Sequence, residues 1–298
     1  MKYSFPRYLL AKQTVDDRAL NKDVLAALQA SLPDGPLSVI EVGAGIGTML
    51  TRLLRWGILP ESVDYTLVDS NPENIVFAQT WLPQWAREHG CQVDQPPASK
   101  SVSSIRLFAG QSAAPSVTVN IIQADLFDYI RSAPAPADLL IAHAFLDLLP
   151  LPDSLPGLLS LTKALAWLTL NFDGVTTFEP ALDPELDSAI EAAYHRTMDS
   201  RPGGGDSRSG RRLFGYLEQA GVQIASAGAS DWVVYPLEGQ YPADEAYFLQ
   251  FILHFFEESL GHLPELPAWL EKRRGQVERG ELVYIAHQID FLARVKPG

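Results

Sequence analysis

Four short segments carry the residues best suited to chemistry: Glu41-Val42-Gly43-Ala44-Gly45-Ile46-Gly47, Asp69-Ser70-Asn71-Pro72, Gln123-Ala124-Asp125-Leu126 and Ala142-His143-Ala144-Phe145. Closely spaced glycines supply positive φ in a tight turn and leave out the Cβ that would hold a ligand off the backbone. The carboxylates of Asp69 and Asp125 can accept hydrogen bonds from hydroxyl or amino groups, each contributing about 1.5–3 kcal/mol when the acceptor is charged. His143 is a candidate general base, since an imidazole of ordinary pKa, ~6.5, takes up a proton near neutrality. A second candidate, His195, falls nine residues after Leu186, roughly 180° round a helix from its apolar face, where it meets either a cleft or water.

The elements around these segments explain their placing. Residues 38–42 form a short β-branched run that enters the glycines, after which Ile46, Met49, Leu50, Leu53 and Leu54 recur at helical spacing. A second strand over 65–68 ends in Asp69, and a helix is predicted from Glu73 towards Trp85. Further strands are predicted over 117–122, 138–142 and 165–171, so the glycine and acidic clusters fall at strand ends. Strands alternating with helices predict a doubly wound α/β fold with a mostly parallel seven-stranded sheet, helices on both faces and an antiparallel last strand over 282–292. In such sheets ligands bind at the carboxyl ends of the strands.

Residues 1–35 are expected to be an aromatic and basic arm (Tyr3, Phe5, Arg7, Tyr8, Lys12) followed by a helix on Leu20, Val24, Leu25, Leu28 and Leu32. Residues 36–298 then form the main domain, with insertions at about 89–116 and 176–212. The first is rich in Pro and Ser, with one strand over 105–108. The second carries a helix whose face is Leu186, Ile190, Tyr194 and Met198, then the hinge-like Pro202-Gly203-Gly204-Gly205, and joins the N-terminal arm in a helical cap. Residues 222–235 read as a single strand.

Composition excludes several functions. The 298 residues carry 23 Lys and Arg against 36 Asp and Glu, a formal charge of -13. That balance offers no general attraction to nucleic-acid phosphates or anionic lipid. No stretch is apolar enough for a leader or a membrane span, so a cytoplasmic protein is expected. The lone Cys91 cannot form an internal disulfide or a multi-thiolate metal site, and no metal is expected.

The dinucleotide fingerprint requires glycine at its sixth place, where this chain has Thr48, which counts against an NAD-type oxidoreductase. The acidic residue followed by Gly-x-Gly-x-Gly instead resembles motif I of the class I S-adenosylmethionine-dependent methyltransferases, and the other three segments follow in that family's order over roughly residues 36–175. The resemblance implies a Rossmann-like fold and S-adenosylmethionine as cofactor, with S-adenosylhomocysteine as product. It implies cofactor contacts from Glu41, Gly43, Ala44, Gly45 and Gly47. Asp69 with Ser70 would hold the ribose hydroxyls, Asp125 and Leu126 the adenine, and His143 the methyl end. Each acid also has a plainer reading: Asp69 as a turn residue and Asp125 as a helix cap.

Methyl transfer needs alignment of acceptor, methyl and sulfur, and a base only where the acceptor must lose a proton. The fourth segment is not Asn/Asp-Pro-Pro-Tyr and Cys91 lacks a Pro-Cys context, which with the acidic charge points to a small-molecule acceptor, anionic or aromatic, on O, N or C. Asp147, Tyr194, Arg201, Tyr8 and Lys12 are the candidate acceptor contacts, and Arg18 is a candidate partner for the cofactor's carboxylate. Arg196, Arg201, Arg208, Arg211 and Arg212 fall within one short stretch and could form either a closing lid or a solvated loop. A non-catalytic protein that binds the same cofactor is the alternative function.

Overall fold

The computed structural model describes residues 3–95, 102–109 and 116–295. The expected N-terminal arm is helical: α1 (Phe5–Ala11) and α2 (Gln13–Ala19). Tyr8, Ala11, Val15 and Ala19 recur every three or four residues and all four are buried, so one face of this segment belongs to the core. α3 (Lys22–Gln29) starts at Asn21, whose side chain accepts the N–H groups of Asp23 and Val24, and it buries Val24 and Leu28.

Two β-α units then build the centre. β1 (Leu37–Val42) leads through the glycine turn into α4 (Thr48–Arg55), and β2 (Ser62–Asp69) into α5 (Pro72–Glu88), which Asn71 caps with Pro72 in its first turn. The described residues of the first insertion form an antiparallel hairpin, β3 (Cys91–Asp94) and β4 (Val102–Ala109), added to the edge of β5 (Ser116–Gln123). This corrects the expectation of a loop with one short strand; the rest of that insertion lies outside the described residues.

α6 (Leu126–Arg131), β6 (Ala137–His143), α7 (Leu155–Leu159) and β7 (Thr162–Glu179) follow. Next come α8 (Pro184–Asp199), α9 (Ser209–Gln219), β8 (Gln223–Ala229) and β9 (Trp232–Val234), and then α10 (Glu245–Leu260), α11 (Leu266–Glu278) and β10 (Val283–Arg294). The single strand expected over 222–235 is therefore two. Buried Ser230 and half-exposed Asp231 separate them, with Asp231 accepting from His287 at 2.6 Å where β10 bulges.

The sheet has ten strands in the order β3-β4-β5-β2-β1-β6-β7-β10-β8, with β9 also paired to β10. From β5 to β7 every neighbour is parallel. β10 runs against both β7 and β8, so the seven strands from β5 to β8 form the expected sheet with β10 alone reversed. Side chains alternate across it: Val39, Leu139, Ile141 and Trp167 enter one core, while Ile40, Leu140, Ala142 and Ala166 enter the other. Among the described residues no helix is long and apolar enough to cross a membrane.

One acid interrupts this apolar centre. Glu41, in the middle strand, is buried and accepts the Tyr65 hydroxyl at 2.7 Å. Burial pushes its carboxyl up to about 8, against the opposing Tyr65 bond and the charge of Arg52. Between the unfolded value of ~4.5 and about 8 the folded chain thus holds a proton that the unfolded chain has released, so this group makes stability fall as pH rises through that window. Glu41→Gln keeps an acceptor for Tyr65 and removes the slope. Its melting temperature is expected to match wild type near pH 5 and exceed it increasingly up to pH 8. Parallel pH curves for the two proteins would contradict this.

Candidate functional site

The carboxyl ends of β1, β2, β5 and β6 meet at a cleft of about 210 Å³, narrower than the ~300–1,000 Å³ usual for a drug-sized ligand. Its walls are Val42 and Gly43, then Val68, Asp69 and Ser70, then Ala124 to Phe127, then Phe145 with Leu148, Leu149 and Pro150; Gly203 closes the rim. Of the residues proposed for the cofactor, Gly43, Asp69, Ser70, Asp125 and Leu126 therefore share one surface.

The backbone is shaped for this. Gly43, Gly45 and Gly47 all have positive φ, and Ala44 donates to Val68 at 3.1 Å, folding the turn back onto β2. At β6 the chain turns through Ala144, itself at φ 50° and tied to Thr169 at 2.8 Å, which swings Phe145 over the glycines. A Cβ on Gly43 would lie 2.3 Å from the Phe145 ring, and one on Gly45 would lie 2.8 Å from Leu9. The bare backbone is thus a cradle that a side chain would fill.

Asp69 is already engaged. Its Oδ2 accepts Gly45 N–H at 2.7 Å, and its Oδ1 accepts Asn71 N–H at 2.9 Å and the Asn74 amide at 3.2 Å. Burial raises its pKa, and these donors oppose the rise. A carboxylate oxygen accepts about two bonds, so one place is left at Oδ2 for a ribose hydroxyl. Asp125 caps α6 through Oδ1, accepting from Phe127 at 2.8 Å and Asp128 at 3.3 Å, and its Oδ2 has no partner among the described residues. The plainer capping role and a ligand contact are compatible in the one side chain.

Beyond β6 lies a charged centre that sequence reasoning missed. Asp16, wholly buried on α2, meets Lys12 at 3.4 Å, Arg52 at 3.4 Å, His143 Nε2 at 3.0 Å and Trp232 Nε1–H at 3.0 Å. Burial alone would raise its pKa, but the adjoining cations hold the carboxyl below the usual range, so it is ionised. His143 is pushed down to about 4 by burial, with Asp16 only partly opposing. A neutral ring has one N–H: Nε2–H donates to Asp16, and Nδ1 accepts the Thr169 hydroxyl at 2.8 Å. Both nitrogens are thereby occupied, which corrects the reading of His143 as a general base. The signal for Asp16 was its place on the same buried helical face as Lys12 and Val15.

None of the five proposed acceptor contacts lines the cleft. Lys12 is held on Asp16 at 3.4 Å, Tyr8 stacks on Phe251 at 4.6 Å and Tyr194 on Phe256 at 4.0 Å. Burial raises the pKa of Tyr8, Tyr194 and Asp147, the last against the charge of Arg201.

Several expectations are corrected. Arg18 is held through its terminal N–H groups by both oxygens of buried Glu245, at 2.6 and 2.8 Å, and it does not line the cleft. Glu41 serves Tyr65 and does not line the cleft. Gly47 caps α4 against Leu67 and Leu82, and Gly45 meets Asp69 and Leu9, so neither glycine forms the wall; buried Ala44 does not either. His195 bonds Thr176 at 3.0 Å, away from the cleft. Phe145 and Gly203, which do line it, stood in segments the sequence pointed to and were not themselves expected as contacts. The arginine stretch is partly spent, Arg211 on Asp173 and Arg212 on Asp206, and Gly204 presses on Pro150. His287 with Asp173 and Asp231 forms no metal site, and no candidate metal cluster occurs among the described residues.

No protein-family model matches the chain, and no curated protein matches it significantly. Among solved structures it is similar to an S-adenosylmethionine-dependent methyltransferase from Thiobacillus denitrificans in complex with S-adenosylhomocysteine. Identity is 14%, covering 98% of this chain and 99% of that one, with a TM-score of 0.48. It is also similar to phosphoethanolamine N-methyltransferase 2 from Haemonchus contortus in complex with S-adenosylmethionine. There identity is 12%, covering 100% of this chain and 61% of that one, with a TM-score of 0.44. Likeness at this level assigns the chain neither a family nor a substrate.

Two outcomes follow from the buried centre. In 15N-edited spectra His143 is expected to stay neutral, with Nε2 protonated, down to about pH 4; a midpoint near ~6.5 would refute the neutral ring, and a proton on Nδ1 would refute the assigned tautomer. Asp16→Asn strands Lys12 and part of Arg52 without counter-charge and is expected to cost about 3–5 kcal/mol in denaturant unfolding. A loss below about 1 kcal/mol would show that the centre is solvated.

Proposed function

We propose that this chain is a class I S-adenosylmethionine-dependent methyltransferase acting on a small-molecule acceptor. The observation that carries the reading is the single cleft in which Gly43, Asp69 with Ser70, Asp125 with Leu126, and the turn after His143 meet at four adjoining strand ends. An adenosine moiety matches those walls in order: a sugar against Asp69, a purine between Asp125 and the apolar Leu126 and Phe127, and a charged tail towards the glycine turn.

When bound, the cofactor supplies a methyl group activated by a positive sulfur. The chain's own part is positional. Oδ2 of Asp69 accepts a ribose hydroxyl, Oδ2 of Asp125 accepts the exocyclic amine, and Gly43 lets the ligand approach the backbone. Leu148, Leu149 and Pro150 line the cleft beside Phe145 and keep water from the line of transfer. His143 and Thr169 are positioning residues, since their polar atoms are spent on each other and on Asp16. The net charge of -13 supports a metabolite over a nucleic acid.

Calorimetric titration with S-adenosylmethionine, S-adenosylhomocysteine and NAD tests the reading. The first two are expected to bind in the micromolar range and NAD more weakly. Asp69→Ala is expected to weaken binding at least tenfold, about 1.4 kcal/mol, in a protein confirmed by its melting curve to be folded. Unchanged affinity in the folded variant, or tighter binding of NAD, would defeat the assignment.

A further inference from the structure

Asn74 is the third residue of α5 and is 2% exposed. Its amide donates to Asp69 Oδ1 at 3.2 Å, while its own Oδ1 is sealed with no hydrogen-bond partner among the described residues. A side-chain amide has two orientations, and turning this one over would set its oxygen against a carboxylate oxygen, so the donor end must face Asp69. A buried carbonyl without a partner costs stability, and Asn is a weak helix former besides. Leu, an apolar side chain of similar size, would avoid both costs. The fold alone therefore does not account for Asn at this position.

What the side chain serves is visible at Asp69, which lines the cleft. All three donors on that carboxylate are neutral amides, and two of them, Gly45 N–H and Asn71 N–H, are main-chain groups that come with the turns. Asn74 is the one side chain among them. Together with Asn71 it fills Oδ1, whereas Oδ2 carries Gly45 N–H and keeps a place for a hydroxyl. Of the titratable groups on adjoining elements, Glu41 on β1 feels the charge of Asp69, Asp125 beyond β5 lines the same cleft, and Glu73 on α5 is exposed; Arg52 on α4 acts on Glu41. Burial raises the Asp69 pKa, and the three amides oppose the rise. A hydroxyl donates more strongly to an ionised carboxylate than to a protonated one.

We infer that Asn74 is a positioning residue for ribose recognition: its amide holds the Asp69 carboxylate through Oδ1 and leaves Oδ2 as the oxygen that takes the nucleoside's hydroxyl. This rests on the methyltransferase reading and adds to it a side chain that acts through Asp69 without lining the cleft itself. The amide also helps to keep Asp69 ionised. Affinity for the nucleoside then falls in acid, as Asp69 takes up a proton, and removal of the Asn74 donor moves that fall to higher pH.

Calorimetric titration of the full chain with S-adenosylhomocysteine, from about pH 5 to about pH 8, tests this on two variants. Asn74→Leu removes the donor and the stranded carbonyl together. It is expected to melt no lower than wild type and yet to bind about fivefold more weakly at neutral pH, roughly 1 kcal/mol, with the loss growing towards acid. A residue that served only the fold would do the reverse, lowering the melting temperature and leaving the pH profile of binding parallel to wild type. Asn74→Asp keeps the shape and sets a second carboxyl against Asp69. In acid the pair shares one proton, which supplies the donor that the amide gave; once that proton is lost, the two charges repel. Its affinity is expected to approach wild type at the acid end and to fall at least tenfold below it, about 1.4 kcal/mol, at the alkaline end, a slope opposite to that of Asn74→Leu. Melting curves establish which variants are folded, and one folded variant suffices. On wild type itself, the Asn74 side-chain amide signal is expected to move when S-adenosylhomocysteine binds. Profiles parallel to wild type in a folded variant, or an unmoved amide signal in the ligand-bound wild type, would overturn the inference. Failure of wild type to bind S-adenosylhomocysteine at any pH would instead strike the methyltransferase reading, and the role of Asn74 with it.

Discussion

One ionised carboxylate holds this molecule's working end together. Asp16 draws Lys12 from its own segment, Arg52 from α4, His143 from the end of β6 and the Trp232 indole from β9. Four separate parts of the chain thereby converge on two oxygen atoms. A buried charge is tolerated only where donors surround it, so the N-terminal helices cannot drift from the sheet without exposing a cation, an imidazole and an indole N–H together. Arg52 also pairs with Asp17, which fixes α2 against the helix that follows the glycine turn. The geometry of the cleft thus depends on a contact outside it.

Three interior acids show how environment decides the state of one functional group. Asp16 is charged because cations surround it. Glu41 has chiefly a phenol for company and is pushed up to about 8. Asp290, wholly buried on β10, accepts the backbone N–H groups of Leu170 and Asn21 at 2.7 and 2.9 Å and sits between, at about 6. Desolvation acts on all three, and the number and charge of the donors separates them.

Much of the fold could be read in the residues. Periodicity placed the parallel strands at Ile40, Val68, Ile121 and Ile141, and glycine and carboxylate placement located the cleft at Gly43, Asp69 and Asp125. Those signals are local, arising from a few neighbouring residues. The rest depended on partners far along the chain. Arg18 meets Glu245 across 227 residues and Asp16 meets Trp232 across 216, and no spacing rule reports such pairs. The N-terminal segment reads as an aromatic and basic arm from Tyr3, Phe5, Arg7, Tyr8 and Lys12, while its buried stripe of Tyr8, Ala11, Val15 and Ala19 is visible only at helical pitch. His143 illustrates the converse: its position at a strand end was correct, and its chemistry was decided by a Thr and an Asp outside its neighbourhood.

The Phe145 ring resting on Gly43 means that the protein occupies part of its own binding surface. Whatever enters the cleft therefore meets an aromatic face beside the bare backbone of the first turn, so shape and not only hydrogen bonding selects it.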